Sequence, residues 1–211
     1  MTLTAAFFDW DGTLCDSGAA GERAFEKSLA DLGVTFTHAQ YKEVYTPAWY
    51  RMYEAFGLPN ALWQQADERW LHHYESEEPD LIAGAVEVLA SLRERGVQLG
   101  IVSGGTRGRV EREVTRLGLA GTFQAIVCHE DVTHRKPHPE GIEKALALVD
   151  GSPETCCFVG DTPEDIQMGK SAGVFTIAVV SEYVDTRRLE ECGPDAILTR
   201  IGDLPGVLST A

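Results

Sequence analysis

Apolar residues occur along this chain in two patterns, short continuous runs and longer stretches with helical spacing. The first continuous run covers residues 3–8 and ends in a turn that contains Gly12, which is typical of a buried strand. Residues 20–33, 39–57 and 60–78 then have apolar side chains at the spacing of helices. No strand is predicted between residues 17 and 79.

After residue 79, helical and strand-like patterns alternate. The helical patterns cover residues 85–96, 107–118, 140–149 and 163–173. The strand-like runs cover residues 97–105, 123–130, 155–161 and 174–180, with a closing segment at 195–204. This alternation is typical of βαβ units, hence of a parallel sheet. We predict an α/β fold in which residues 1–16 and 80–211 form a Rossmann-like core with helices on both faces, and residues 17–79 form an inserted helical domain.

Composition limits the compartment and the class of protein. The chain has 211 residues, of which 44% are hydrophobic, enough for one sizeable core or a core with a modest insertion. No apolar run approaches the roughly 20 residues of a membrane span, and no basic stretch precedes an apolar one at the N-terminus. We therefore expect neither export nor membrane insertion. Five cysteines without a CxxC spacing indicate reduced thiols in the cytoplasm.

The charge of the chain bears on its partners. Acidic residues outnumber basic ones by 33 to 18, which gives a net charge of −15. A nucleic-acid partner is disfavoured, because neutralising phosphates requires a basic face. A solvated acidic surface is sufficient to explain the charge. A small anionic substrate fits only where positive charge gathers locally, and nothing in the sequence specifies an oligomeric state.

Four of the predicted strands end in polar residues that could carry chemistry. Asp9 and Asp11 follow the first strand, Ser103 follows the second, residues 129–131 follow the third, and Asp161 and Asp165 follow the fourth. Ligands of open parallel sheets bind at these strand ends. If the strand geometry continues, Asp9 and Asp11 share one face. Paired carboxylates repel, so a cation should compensate, and a hard divalent ion such as Mg²⁺ suits oxygen ligands.

Each of these residues also has a simpler interpretation. Aspartate is common in turns, and Asp165 is placed to offset a helix dipole. Ser103 alone is an ordinary turn residue, and Lys136 alone is more often a solvated charge. Arg107 and Arg109 begin a predicted helix and are expected to be solvated. The joint occurrence of the candidates in chain order, each at or beside a strand end, favours a site.

Four motifs together resemble the haloacid dehalogenase-like hydrolases, and within them the phosphatases with a small helical cap. The motifs are DWDGTL at residues 9–14, VSGG at 102–105, RKPHPEG at 135–141 and VGDTPEDI at 159–166. The resemblance covers nearly the whole chain. The helical insertion also follows the first motif directly, where this family inserts its cap. The resemblance therefore implies that residues 17–79 are a cap domain.

The resemblance assigns a role to each candidate residue. Asp9 matches the nucleophile that forms an aspartyl phosphate. Asp11 matches the general acid/base, and its backbone carbonyl matches a metal ligand. Asp161 matches a direct Mg²⁺ ligand alongside Asp9, and Asp165 a second acidic position that supports the metal.

The resemblance also assigns the phosphate-binding groups and the kind of substrate. Ser103, the Gly104 N–H and Lys136 match groups that bind the phosphoryl oxygens. The substrate would be a small phosphorylated metabolite, and Asp16-Ser17 makes phosphoglycolate the leading candidate. A phosphomutase acting on a sugar phosphate, a non-enzymatic phosphate-binding module and, less favoured, a dehalogenase remain the alternatives.

Overall fold

The computed structural model describes residues 3–210 and contains a six-stranded parallel sheet. The strands are β1 (Ala5–Phe8), β2 (Gln98–Val102), β3 (Ala125–Val127), β4 (Cys156–Gly160), β5 (Phe175–Val179) and β6 (Ala196–Leu198). Their order in the sheet is β3-β2-β1-β4-β5-β6. β1 is central, and its Ala6 lies between Leu99 of β2 and Cys157 of β4. The order changes direction at β1, where doubly wound sheets bind their ligands.

Helices connect the strands and also make up the segment between β1 and β2. The helices are α1 (Gly18–Ala30), α2 (His38–Val44), α3 (Trp49–Ala55), α4 (Trp63–Tyr74), α5 (Ala85–Glu94), α6 (Arg107–Arg116), α7 (Glu140–Leu148), α8 (Pro163–Ser171), α9 (Thr186–Glu191) and α10 (Leu204–Thr210). Among residues 3–210, no helix is long and apolar enough to cross a membrane.

Both faces of the sheet are buried under helices. Ala6 and Phe8 of β1 point to one face, where they pack with apolar residues of α5, α6 and α10. Ala5 and Phe7 point to the other face, where they pack with residues of α7 and α8. A strand buried on both faces has to be continuously apolar, which explains the run at residues 3–8. The predicted α/β fold with a Rossmann-like core is confirmed.

The described chain divides into two compact units. One contains the sheet and comprises the residues up to Asp16 and from Asp80 onward; the other is Ser17–Pro79. In this second unit, α1 packs against α4 and is linked to it by two hydrogen bonds. The Ser28 hydroxyl donates to the carbonyl of Ala66 at 2.8 Å, and the Trp70 indole donates to that of Gly21 at 3.1 Å.

An aromatic cluster forms the rest of the core of the second unit. The Phe25 ring is stacked on Tyr53, with centroids 5.5 Å apart, and also contacts Phe36, Tyr41 and Phe56. Residues 17–79 contain no strand, as predicted. The stretch at 39–57 forms two helices, α2 and α3, rather than one.

Candidate active site

The carboxyl ends of β1, β2 and β4 bring the candidate side chains together. Hydrogen bonding continues one residue beyond the strands: the Asp9 N–H donates to the Val159 carbonyl at 2.8 Å, and the Ser103 N–H donates to Val127 at 2.9 Å. These bonds fix the backbone of both residues at the edge of the sheet. Their side chains are buried, each residue being 5% exposed.

Lys136 joins two of the carboxylates. Its Nζ lies 2.5 Å from Asp9 Oδ1 and 2.6 Å from Asp165 Oδ1. Burial by itself lowers the pKa of the Lys136 ammonium group, but the charges of Asp165 and Asp9 outweigh burial and raise the pKa above its ordinary value. Lys136 is therefore a buried, charged group, not a solvated one, and it supplies positive charge beside Asp9.

Asp9 and Asp161 are held in an environment that disfavours their ionised forms. Burial raises the pKa of Asp9 well above its ordinary value; Lys136 opposes this shift, and the neighbouring aspartates add to it. Burial and the charge of Asp165 likewise raise the pKa of Asp161 to about 7. One lysine does not compensate for several buried carboxylates.

This charge imbalance fits a divalent cation. Asp9, Asp161 and Asp165 each offer a carboxylate oxygen, and these oxygens lie within 4.8 Å of one another. All three residues are buried. Hard divalent cations prefer such oxygen ligands, and a cation here would offset the burial and the repulsion that together raise the two pKa values. The cluster can therefore hold a divalent metal ion.

Two local features bring the acidic residues close together. Gly12 has a φ of +79°, and a Cβ at this position would overlap the Asp161 carboxylate. Glycine thus allows the loop after β1 to approach the end of β4. At the start of α8, Thr162 and Asp165 form a capping box in which the Thr162 hydroxyl and N–H donate to Asp165 Oδ2 at 2.6 and 3.1 Å. The cap fixes the rotamer of Asp165 and leaves its Oδ1 to Lys136.

Ser103 and Gly104 lie at the end of β2 and line one pocket with Lys136. The Ser103 hydroxyl accepts a hydrogen bond from the Gly105 N–H at 2.9 Å. This bond leaves the hydroxyl proton of Ser103 available to an acceptor in the pocket. A hydroxyl, a backbone N–H and an ammonium group are suited to binding an anion. The lining of this pocket does not include Asp9, which Lys136 Nζ contacts.

Asp11 interacts with a different cation from Asp9. β1 ends at Phe8, so strand geometry does not govern the direction of the Asp11 side chain. Its two carboxylate oxygens accept hydrogen bonds from Nη1 and Nη2 of Arg109 at 2.8 and 2.6 Å. The expectation that Arg109 is solvated is wrong: it is 6% exposed and also bonds to Glu113. Arg107 remains 37% exposed.

Residues 6–179 match the sequence model of the haloacid dehalogenase-like hydrolases. The chain is 30% identical over 216 residues to the pyrophosphatase PpaX of Bacillus mycoides, covering 99% of this chain and 98% of that protein.

Two solved structures extend the likeness to the fold. A predicted phosphoglycolate phosphatase from Haemophilus somnus is similar over 99% of both chains, with a TM-score of 0.86 and 18% identity. CbbY from Rhodobacter sphaeroides in complex with phosphate is similar over 96% of both chains, with a TM-score of 0.80 and 26% identity.

Proposed function

Because the chain belongs to the haloacid dehalogenase-like hydrolases, as its motifs predicted, we propose that it is a magnesium-dependent phosphatase of small phosphorylated metabolites. The reaction passes through an aspartyl phosphate on Asp9. The observation that carries the proposal is the contact of buried Asp9 with Lys136 beside two further buried carboxylates. This arrangement combines a nucleophile, a fixed positive charge and a cation site within a few ångströms.

Asp9 acts as the nucleophile. A carboxylate can attack phosphorus only while it is ionised, and Lys136 at 2.5 Å favours that form against the effect of burial. Attack forms an acyl phosphate and expels the leaving oxygen, and water then hydrolyses the intermediate. One difficult displacement is thereby divided into two easier ones.

Asp9, Asp161 and Asp165 would hold the Mg²⁺ ion, with Asp165 in support and the Asp11 carbonyl as a further ligand. When bound, the ion would shield the attacking carboxylate from the anionic substrate and neutralise charge on the transferring group. Ser103, the Gly104 N–H and Lys136 bind the phosphoryl oxygens, because Ser103 and Gly104 follow β2 at the sheet edge where Asp9 follows the neighbouring β1, and Lys136 contacts Asp9. Asp11 protonates the leaving oxygen and then takes a proton from the attacking water.

Two small phosphorus compounds are candidate substrates. Phosphoglycolate is supported by Asp16-Ser17 after the first motif and by the fold of the Haemophilus somnus protein. Inorganic pyrophosphate is supported by the full-length similarity to PpaX, which is named a pyrophosphatase. The enzyme works in the cytoplasm, which agrees with its five free cysteine thiols.

Replacement of the nucleophile tests the mechanism. Asp9→Asn should abolish Mg²⁺-dependent hydrolysis of p-nitrophenyl phosphate, since an amide cannot form the acyl phosphate. EDTA should abolish wild-type activity reversibly. Asp203→Asn, at an exposed aspartate, is the matched control and should retain full activity. Substantial turnover by a folded Asp9→Asn protein, or by the wild type in EDTA, contradicts the mechanism.

A substrate panel distinguishes the alternatives. Phosphoglycolate, glycerol phosphate, pyrophosphate and a hexose 1-phosphate are incubated with the wild-type protein and Mg²⁺, and released phosphate is measured. A sugar phosphate isomer without free phosphate identifies a phosphomutase, and halide released from a haloacid identifies a dehalogenase. Binding of phosphate without turnover of any of these compounds, or of p-nitrophenyl phosphate, identifies a binding module.

A further inference from the structure

A buried chain of hydrogen bonds extends from Asp11 into the core. Arg109 donates to both Asp11 oxygens and, through Nη1, to Glu113 Oε2 at 3.1 Å. Glu113 in turn accepts a hydrogen bond from Trp10 Nε1 at 2.6 Å. Trp10 is fully buried and Glu113 is 2% exposed. The carboxylate predicted to move the proton is thus attached to the interior through an arginine.

The surroundings are shaped to hold this arginine. Arg109 and Glu113 lie one turn apart on α6, whose first residues follow the VSGG motif. A Cβ at Gly105 would overlap the Arg109 guanidinium, so glycine at this position lets the guanidinium lie where it does without being displaced. Removing a charged pair from water is costly, and a fully apolar alternative is often as stable. Stability therefore gives little reason to keep an ion pair directly behind Asp11.

We propose that Arg109 is a positioning residue that holds the Asp11 carboxyl group for proton transfer to the leaving oxygen. This inference rests on the proposed phosphatase function and adds a residue outside the four motifs. The planar guanidinium fixes both position and plane of a carboxylate, which a lysine ammonium does not. Glu113 and Trp10 fix the guanidinium in turn.

The geometry allows the proton transfer without loss of the contact. For transfer, one Asp11 oxygen turns to the leaving group while Arg109 Nη1 keeps its hydrogen bond to the other. Asp11 enters this step protonated on the oxygen that turns to the leaving group. As the Asp9 carboxylate bonds to phosphorus, the phosphorus–oxygen bond of the ester breaks, its electron pair stays on the leaving oxygen, and the Asp11 proton joins that oxygen. The ionised Asp11 that remains regains the bidentate contact with Arg109. A mispositioned Asp11 would slow only reactions whose leaving group needs this proton.

Leaving-group dependence provides the test. We compare kcat/KM for p-nitrophenyl phosphate, whose nitrophenolate departs without a proton, with kcat/KM for the alkyl phosphate of the panel that the wild-type protein hydrolyses best. Because kcat/KM covers only the steps up to departure of the leaving group, hydrolysis of the aspartyl phosphate does not affect it. Arg109→Met should lower kcat/KM for the alkyl ester about 100-fold and kcat/KM for the aryl ester less than about tenfold.

Two variants separate positioning from stability. Arg107→Met, two residues earlier on α6, removes an arginine that bonds to Glu111 and should leave the ratio of the two values unchanged. Arg109→Met combined with Glu113→Gln removes both charges of this ion pair and keeps an acceptor for Trp10. This double variant should fold, and its ratio of kcat/KM for the alkyl ester to kcat/KM for the aryl ester should still be lower than that of the wild type.

The possible results decide between the two hypotheses. An equal loss for both esters in the double variant, or no loss for either, overturns the positioning role of Arg109. A wild-type protein that hydrolyses neither ester nor pyrophosphate contradicts the proposed function, and this inference with it. A wild-type protein that hydrolyses pyrophosphate but neither ester contradicts only the inference. A wild-type protein that hydrolyses both esters, with an unchanged ratio in the double variant, contradicts only the inference.

Discussion

At Asp9, Asp161 and Asp165, three buried carboxylates share the single ammonium group of Lys136. Without a metal ion, full ionisation would leave this cluster with a net negative charge in a medium that screens poorly. Burial disfavours the ionised carboxylates and their mutual repulsion adds to this effect, so the pKa values of Asp9 and Asp161 are raised, and proton uptake relieves both costs. A metal ion and a proton therefore compete for the same oxygens.

This competition predicts how the stability of the metal-free protein changes with pH. The pKa of Asp161 is about 7 when folded against an ordinary value of 3.8, so between these values the folded state binds more protons than the unfolded state. Stability conferred by the bound proton is lost as the pH rises. In EDTA, the wild type should lose free energy of unfolding relative to Asp161→Asn by up to about 1.4 kcal/mol per pH unit over this window.

Urea unfolding of the wild type and of Asp161→Asn in EDTA, at pH 4.5, 6 and 7.5, measures the difference between their free energies of unfolding. Mg²⁺ should restore the stability of the wild type at pH 7.5 and have much less effect on Asp161→Asn. A difference between the two proteins that is independent of pH would show that Asp161 remains ionised without metal, and that the cluster does not take up a proton.

Residues with a role in the candidate site differ in how visible they are in the sequence. Asp9, Lys136 and Asp161 lie in motifs beside strand ends, so local pattern was enough to select them. Arg109 and Glu113 have the spacing of an exposed helical ion pair, which is the usual interpretation of such a pattern. The partner that makes Arg109 buried, Asp11, is 98 positions away. Only the tertiary fold reveals that contact.

At the scale of elements, α8 links helix stability to the site. Thr162 is the N-cap, and its hydroxyl bonds to the same Asp165 whose other oxygen contacts Lys136. Thr162→Ala should therefore have two effects: a loss of about 1 kcal/mol or more of stability from the cap, and weaker Mg²⁺ binding because Asp165 is no longer fixed. We expect the Mg²⁺ concentration for half-maximal activity to rise several-fold.

The second unit provides a matched control for this prediction. Thr37 caps α2 with the same capping box, formed with Gln40. Thr37→Ala should lower the stability of the helix by a comparable or smaller amount and leave the Mg²⁺ requirement unchanged. If both variants shift the Mg²⁺ requirement equally, the effect comes from general destabilisation, and Thr162 has no particular role in the metal site.

The helices that the sequence patterns did not predict are short or contain helix-breaking residues. α9 has six residues and one buried apolar side chain, Leu189, which is too little for a periodic signal. α10 begins with Leu204, Pro205 and Gly206, a composition that indicates a turn, although proline is tolerated in a first helical turn. Pro47 separates α2 from α3, since it restricts the residue before it and offers no N–H.

At the scale of the whole molecule, the unit that contains the sheet is made of two distant segments of the chain. They meet at two backbone contacts. The Asp16 N–H donates a hydrogen bond to the Asp80 carbonyl at 2.9 Å, and the backbones of Cys15 and Leu81 pair in an isolated antiparallel β-bridge. Both contacts belong to this unit. The ends of the intervening segment, residues 17–79, therefore leave and re-enter the sheet-containing unit at one point, as is common for inserted domains.

This geometry predicts that the sheet-containing unit folds without the insertion. Replacement of residues 17–79 by a short Gly/Ser linker spans only the gap at Asp16 and Asp80 and removes none of the apolar residues on either face of the sheet. The shortened protein should unfold cooperatively and still be stabilised by Mg²⁺, because the three carboxylates and Lys136 all remain. The measurement is thermal unfolding of the shortened protein with and without Mg²⁺. As a control, the shortened protein that also carries Asp161→Asn should no longer be stabilised by Mg²⁺. A shortened chain with native-like circular dichroism but no response to Mg²⁺ would mean that residues 17–79 take part in forming the metal site.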